Sequence, residues 1–159
     1  MVRKSNNSAL NALINSLNTN MLPHLVTKAV VFDGATTNGI GDFAGTSNPY
    51  TLFTVTGTVA MSVIGVCSVN LASTGGGTEE VGTALTTAGL IAQTTATDIH
   101  ANDIWHDATP DASIEAITIL VPKIVAQDVI LTTGTADVET GAITFYCMWA
   151  PLSADGNVE

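Results

Sequence analysis

The sequence predicts a mainly β protein: an antiparallel β-sandwich or jelly-roll-like barrel with a short N-terminal helix or arm. Three observations predict it. From Phe53 to Val69 the residues alternate with a period of two: Phe53, Val55, Val59, Met61, Val63, Cys67 and Val69 take one parity, and Thr54, Thr56, Thr58, Ser62 and Ser68 the other. Threonine supplies 24 of the 159 residues, and its β-branched side chain suits strands while covering a wet face without charge. Short apolar runs are separated by Gly-, Asn- and Asp-rich stretches at 34–48, 73–78 and 134–141, the punctuation of sandwich loops.

Taken in chain order, the first element is an arm over residues 1–28, followed by a single β-domain over 29–159. In the arm, Leu10, Leu13, Ile14, Leu17 and Met21 recur at the spacing of one apolar helical face, and Pro23 marks its stop. Asn6, Asn7, Asn11, Asn15 and Asn18 fill the rest. Asparagine forms helices poorly, so such a helix needs a surface to dock on: its own core, a second copy, or another protein. Those five apolar residues are therefore the expected partner-docking set. A signal peptide is not expected, because the asparagines interrupt the apolar stretch and no small-residue cleavage site follows.

In the domain, the 53–69 stretch is too long for one ordinary strand and reads as two, with Gly57 and Gly65 as bends or bulges. Residues 83–93 are ambiguous between strand and helical turn. Ile114 to Val121 is a continuous apolar run that suits a central strand ended by Pro122. Val129 to Thr133 forms a short strand. The last strand alternates Ile143, Phe145, Cys147 and Trp149 with Thr144, Tyr146 and Met148, and Pro151 closes it.

Charge narrows the function. The chain has 14 acidic and 4 basic residues, a formal net charge of −10. Arg3, Lys4 and Lys28 give the arm +3, while residues 29–159 hold all 14 acids and only Lys123, or −13. An acidic body does not neutralise phosphates over a broad surface, so no nucleic-acid partner is expected. No apolar run reaches the roughly 18 residues of a spanning helix, and no membrane partner is expected. The positive mean hydropathy comes from missing charge rather than from greasy segments.

The densest polar cluster is His100, Asp103, His106 and Asp107 around Trp105, with ligand types suited to zinc, manganese or iron. Its spacing is poor. On a strand the two histidines and the two aspartates take opposite faces, and on a helix His106 falls off the face shared by the others. The competing reading is a polar turn that pins Trp105 to the core, and no metal or other cofactor is expected. The 33–42 loop has two carboxylates, Asn38 and three glycines, but Ala35 and Thr37 stand where an EF-hand needs oxygen ligands. The Gly75-Gly76-Gly77 run lacks the lysine and hydroxyl of a phosphate loop. Cys67 and Cys147 lie on apparent core faces and are expected as free thiols.

Several stretches carry a resemblance: Val31-Phe32-Asp33-Gly34 with Gly39-Ile40-Gly41-Asp42, Tyr50-Thr51-Leu52-Phe53-Thr54-Val55-Thr56-Gly57, Ile104-Trp105-His106-Asp107 with the residues that follow to Glu115, and Phe145-Tyr146-Cys147-Met148-Trp149-Ala150-Pro151-Leu152. Over residues 29–152 the chain resembles small virion structural proteins of tailed bacteriophages, in particular shell-decorating or cement proteins. The resemblance implies a non-enzymatic subunit that binds the major capsid protein or other virion proteins, stabilises or decorates the shell, and forms a homo-oligomer, commonly a trimer. It also implies a place in the virion, assembled in the host cytoplasm, with no cofactor. A surface of Thr, Ala and Ser is compatible with this, since small uncharged side chains lose little entropy and little hydration when covered. Two other readings compete: a receptor- or carbohydrate-binding head of a phage fibre or spike, and a metal enzyme built on the His100–Asp107 cluster.

Overall fold

The computed structural model describes residues 24–115 and 121–159. The docking set Leu10, Leu13, Ile14, Leu17 and Met21 lies outside the described residues. In chain order the strands are β1 (His24–Phe32), β2 (Tyr50–Phe53), β3 (Val55–Thr56), β4 (Val59–Ala72), β5 (Thr78–Thr83) and β6 (Thr86–Thr95). They continue as β7 (Ile104–Trp105), β8 (Lys123–Val125), β9 (Val129–Gly134), β10 (Thr140–Pro151) and β11 (Asn157–Val158). One sheet runs β1-β10-β4, with β7 and β8 both paired to the far edge of β4; the other runs β2-β9-β5-β6. All pairings are antiparallel. The architecture is a β-sandwich, in which a β3–β11 ribbon ties the C-terminus back to β2.

The core forms between the sheets from the buried parity of each long strand. Ile143, Phe145, Cys147 and Trp149 of β10 face Val59, Met61, Val63 and Cys67 of β4, and Val81, Ile91 and Leu131 answer from the second sheet. Trp105 is fully buried and meets Phe145 edge to face, with ring centroids 6.0 Å apart. Its indole N–H donates to Thr94 Oγ1 at 2.9 Å, so the ring brings no unpaired polar atom into the core.

Gly57 is a bend, with φ at +62°, but Gly65 is not. It sits inside an unbroken 14-residue β4, where a methyl group would lie 2.9 Å from Ile143 Cγ2 and 3.3 Å from the Phe145 ring. That glycine makes room for the Trp105–Phe145 pair. The bulge falls instead at Ser68, where Cys67 pairs with Ile143 but Val69 with Ala142, and Val69 is turned outward.

One boundary is corrected and one ambiguity is resolved. The boundary at residue 28 cuts through β1, which pairs with β10 from His24↔Trp149 to Phe32↔Gly141. His24 stacks on Trp149 at 4.5 Å, and Lys28 Nζ lies 5.7 Å from the centre of the Tyr50 ring, bridging the sandwich edge. Residues 24–159 thus carry 14 acids and two lysines, a charge of −12. The ambiguous 83–93 stretch is the β5–β6 hairpin, closed by Ala84 and Leu85, because Thr86, Thr87, Thr94 and Thr95 favour extended backbone. Of the Ile114–Val121 run, residues 116–120 lie outside the described residues; Ile114 is fully exposed, and the described strand that follows is the short β8 beyond Pro122.

Candidate functional site

Two places merit attention, a cleft and a sheet face. The cleft lies where β4 passes from one edge partner to another. Met61 pairs with Lys123 of β8 and Gly65 with Trp105 of β7, so β4 residues 62–64 fall between two short ladders. The opening has a volume of about 560 Å³, with Met61 and Leu90 among its walls and His106, Asp107, Glu115 and Lys123 as its ionisable groups.

The His100–Asp107 cluster does not converge there. His100 and Asp103 lie before β7 and His106 and Asp107 after it, so the strand that buries Trp105 splits the four residues into two pairs. In the first, Asp103 Oδ2 accepts the His100 backbone N–H at 2.8 Å and stands 3.5 Å from His100 Nδ1. The same turn gives Cys67 its strand partners: Cys67 N–H donates to Asp103 O at 3.0 Å, and Asn102 N–H to Cys67 O at 2.8 Å. Asn102 reaches this with φ at +76°, a conformation Asn tolerates better than most residues. The first pair therefore holds the bulged end of β4.

In the second pair His106 is mostly buried between carboxylates, its Nδ1 3.9 Å from Asp107 Oδ2 and its Nε2 3.5 Å from Glu115 Oε1. The Thr109 backbone N–H bond, helped by the Thr109 hydroxyl and by His106, holds the Asp107 carboxyl below its ordinary range. Glu115, nine residues beyond His106, is a partner that sequence spacing does not reveal, because a loop brings it back. Among the described residues no group of three or more His, Cys, Asp and Glu side chains has the geometry to hold a metal ion. The cleft presents an imidazole already engaged by two acids.

The 33–42 loop spends its carboxylates on its own amides. Asp33 Oδ1 accepts the Ile40 N–H at 2.7 Å, and Asp42 accepts the N–H groups of Asn38 and Ala44 at 2.8 and 3.0 Å. These are turn staples. Both cysteines are free and buried. Burial pushes the Cys147 thiol up to about 12 and raises Cys67 as well, which suits packing rather than nucleophilic chemistry.

The sheet face is the outward parity of β1, β10, β4, β7 and β8. The ladders fix its rows. One row is Thr27–Tyr146–Ile64, the next is Ala29–Thr144–Val66–Ile104, and on the other side lies Leu25–Met148–Ser62. Val31–Ala142 and Ala150–Ala60–Ile124 close the ends. None of these residues is charged. Leu25, Val31 and Ile124 are 62%, 66% and 74% exposed, and most of the remainder are exposed or half-buried. Lys28 and Lys123 point from the other parity, toward Tyr50 and the Gly89 carbonyl, and leave the face uncharged. Its signal was present in the sequence: Ala60, Ile64 and Val66 are apolar on the parity that a half-wet strand gives to polar residues.

Comparison with protein-family models, with curated proteins and with solved structures finds no match to this chain.

Proposed function

We propose that the chain is a non-enzymatic structural subunit of a phage virion that binds the capsid surface and stabilises or decorates the shell. The observation that supports it is the uncharged outer face of the β1-β10-β4 sheet on a domain of charge −12. A wet sheet face ordinarily carries polar and charged side chains, and contiguous apolar patches on soluble domains mark surfaces that other molecules cover. The resemblance to shell-decorating proteins adds the kind of assembly: capsid or other virion proteins as partners, copies of the chain beside one another, and no cofactor. The alternative of a carbohydrate-binding head draws less support. Phe32, Phe53, Trp105, Phe145 and Trp149 are buried and unavailable to stack on a sugar, and Tyr50 sits beneath Lys28.

The test is co-sedimentation of the purified chain with phage shells lacking it. Saturable binding at a fixed number of copies per shell, with greater shell resistance to heat, is the expected result. A chain that stays in the supernatant at every concentration contradicts the proposal.

A further inference from the structure

We infer that the uncharged face of the β1-β10-β4 sheet pairs with the same face of a second copy, giving a two-fold dimer with four β-layers. The inference rests on the assembly reading above and names the occupant of its surface.

Charge selects the partner first. Two copies of a −12 domain repel across most orientations, and a contact between uncharged faces places no like charges opposite one another. A partner of opposite charge would be met by acidic side chains, and this face has none. Shape agrees. The rows run across three to four strands and span Ala142 to Ala150 along β10, which at strand spacings of about 4.8 Å and rises of about 3.4 Å gives roughly 400–600 Å² per copy. A pair then covers roughly 800–1,200 Å², around the roughly 1,000 Å² of a specific interface. Tyr146, Met148 and Ile64 stand mid-face as large side chains beside Ala29, Ala60 and Ala142, the mixture of bulk and gaps that lets two sheets interdigitate at about 10 Å.

The free edge of β1 is a poorer self-contact. Lys28 is its middle residue, so two-fold antiparallel pairing about that centre would set Lys28 against its own copy. A flat face meeting itself is isologous and joins copies in twos, so the expected number departs from the three implied by the resemblance.

The experiment is sedimentation equilibrium of the full chain at micromolar concentrations, beside Tyr146→Glu at the centre of the face and Val31→Glu at its exposed end. Val31 is mostly solvated, so a charge there leaves the fold intact even if Tyr146→Glu does not fold. The expected result is twice the 16.3 kDa chain mass for the parent, and self-association weakened by about a hundredfold or more in a folded variant, because each dimer would bury two like, unpaired charges. A monomeric parent, a trimer, or a dimer indifferent to Val31→Glu overturns the pairing. Shell co-sedimentation separates the two levels. A monomer that binds shells, and loses binding on Val31→Glu, gives this face to the capsid and leaves the assembly reading standing. A monomer that binds no shell defeats both.

Discussion

Thr133 of β9 donates a 2.8 Å hydrogen bond to Glu79 Oε1 of β5 in the middle of the sandwich, and the other oxygen of that carboxyl finds no partner among the described residues. Glu79 is fully buried. Burial pushes its pKa from an ordinary 4.5 up to about 8, opposed by the Thr133 bond and reinforced by Glu80. At neutral pH it is a neutral acid in a core built largely from apolar side chains.

The pH dependence of folding follows with a definite sign. The folded state holds this proton more tightly than the unfolded chain, so the stabilisation is complete below about pH 4.5 and is lost as pH rises through about 8. At about 1.4 kcal/mol per pH unit the loss is on the order of a few kcal/mol. Urea midpoints measured across that window should fall with rising pH in the parent and stay nearly level in Glu79→Gln. Parallel slopes for the two proteins would refute the assignment.

A second prediction concerns the close approach of Ile143 and Phe145 to Gly65. Gly65→Ala gains strand propensity but must fit a carbon 2.9 Å from Ile143 Cγ2. Overpacking of this kind costs about 1–3 kcal/mol, so a net loss of about 1–2 kcal/mol is expected in thermal unfolding. An unchanged or raised midpoint would show that the Trp105–Phe145 pair does not need the space.

The Trp105–Thr94 bond is best read through a double-mutant cycle. Thr94→Val strands the buried Trp105 indole N–H at about 1–3 kcal/mol, and Trp105→Phe removes that donor while Thr94 Oγ1 keeps its contacts with Ala92 O and Asp107 O. The double variant removes both partners and should cost less than the two singles together. Strict additivity would mean that the bond contributes nothing.

Cysteine reactivity supplies a fourth outcome. Burial raises both thiols, that of Cys147 to about 12, so neither should react with a disulfide reagent at about pH 8 in the native protein, and both should react in denaturant. Rapid native labelling of Cys147 would contradict its place in the β10–β4 core.

Much of the fold was legible because period-two alternation is strong in β4 and β10, whose inward residues are those the alternation picks out. The bulge at Ser68 was not, since Val69 continues the apolar parity in sequence and only pairing with Ala142 turns it outward. Gly65 misled for the same reason: a glycine in a strand marks either a bend or a close neighbour, and the neighbour, Trp105, lies 40 residues away. Among the candidate residues, β7 separates His100 and Asp103 from His106 and Asp107, and Glu115 and Lys123 reach the cleft through loop and strand pairing that spacing does not encode. The uncharged face was half visible, as apolar residues on both parities of β4, and its extent required the β1–β10–β4 register.

Whether another protein surface covers the uncharged sheet face is decided by sedimentation equilibrium of the full chain with and without Val31→Glu. The parent should have twice the chain mass, and the substitution should return it to a monomer. A parent that stays monomeric and binds no shell would contradict that coverage.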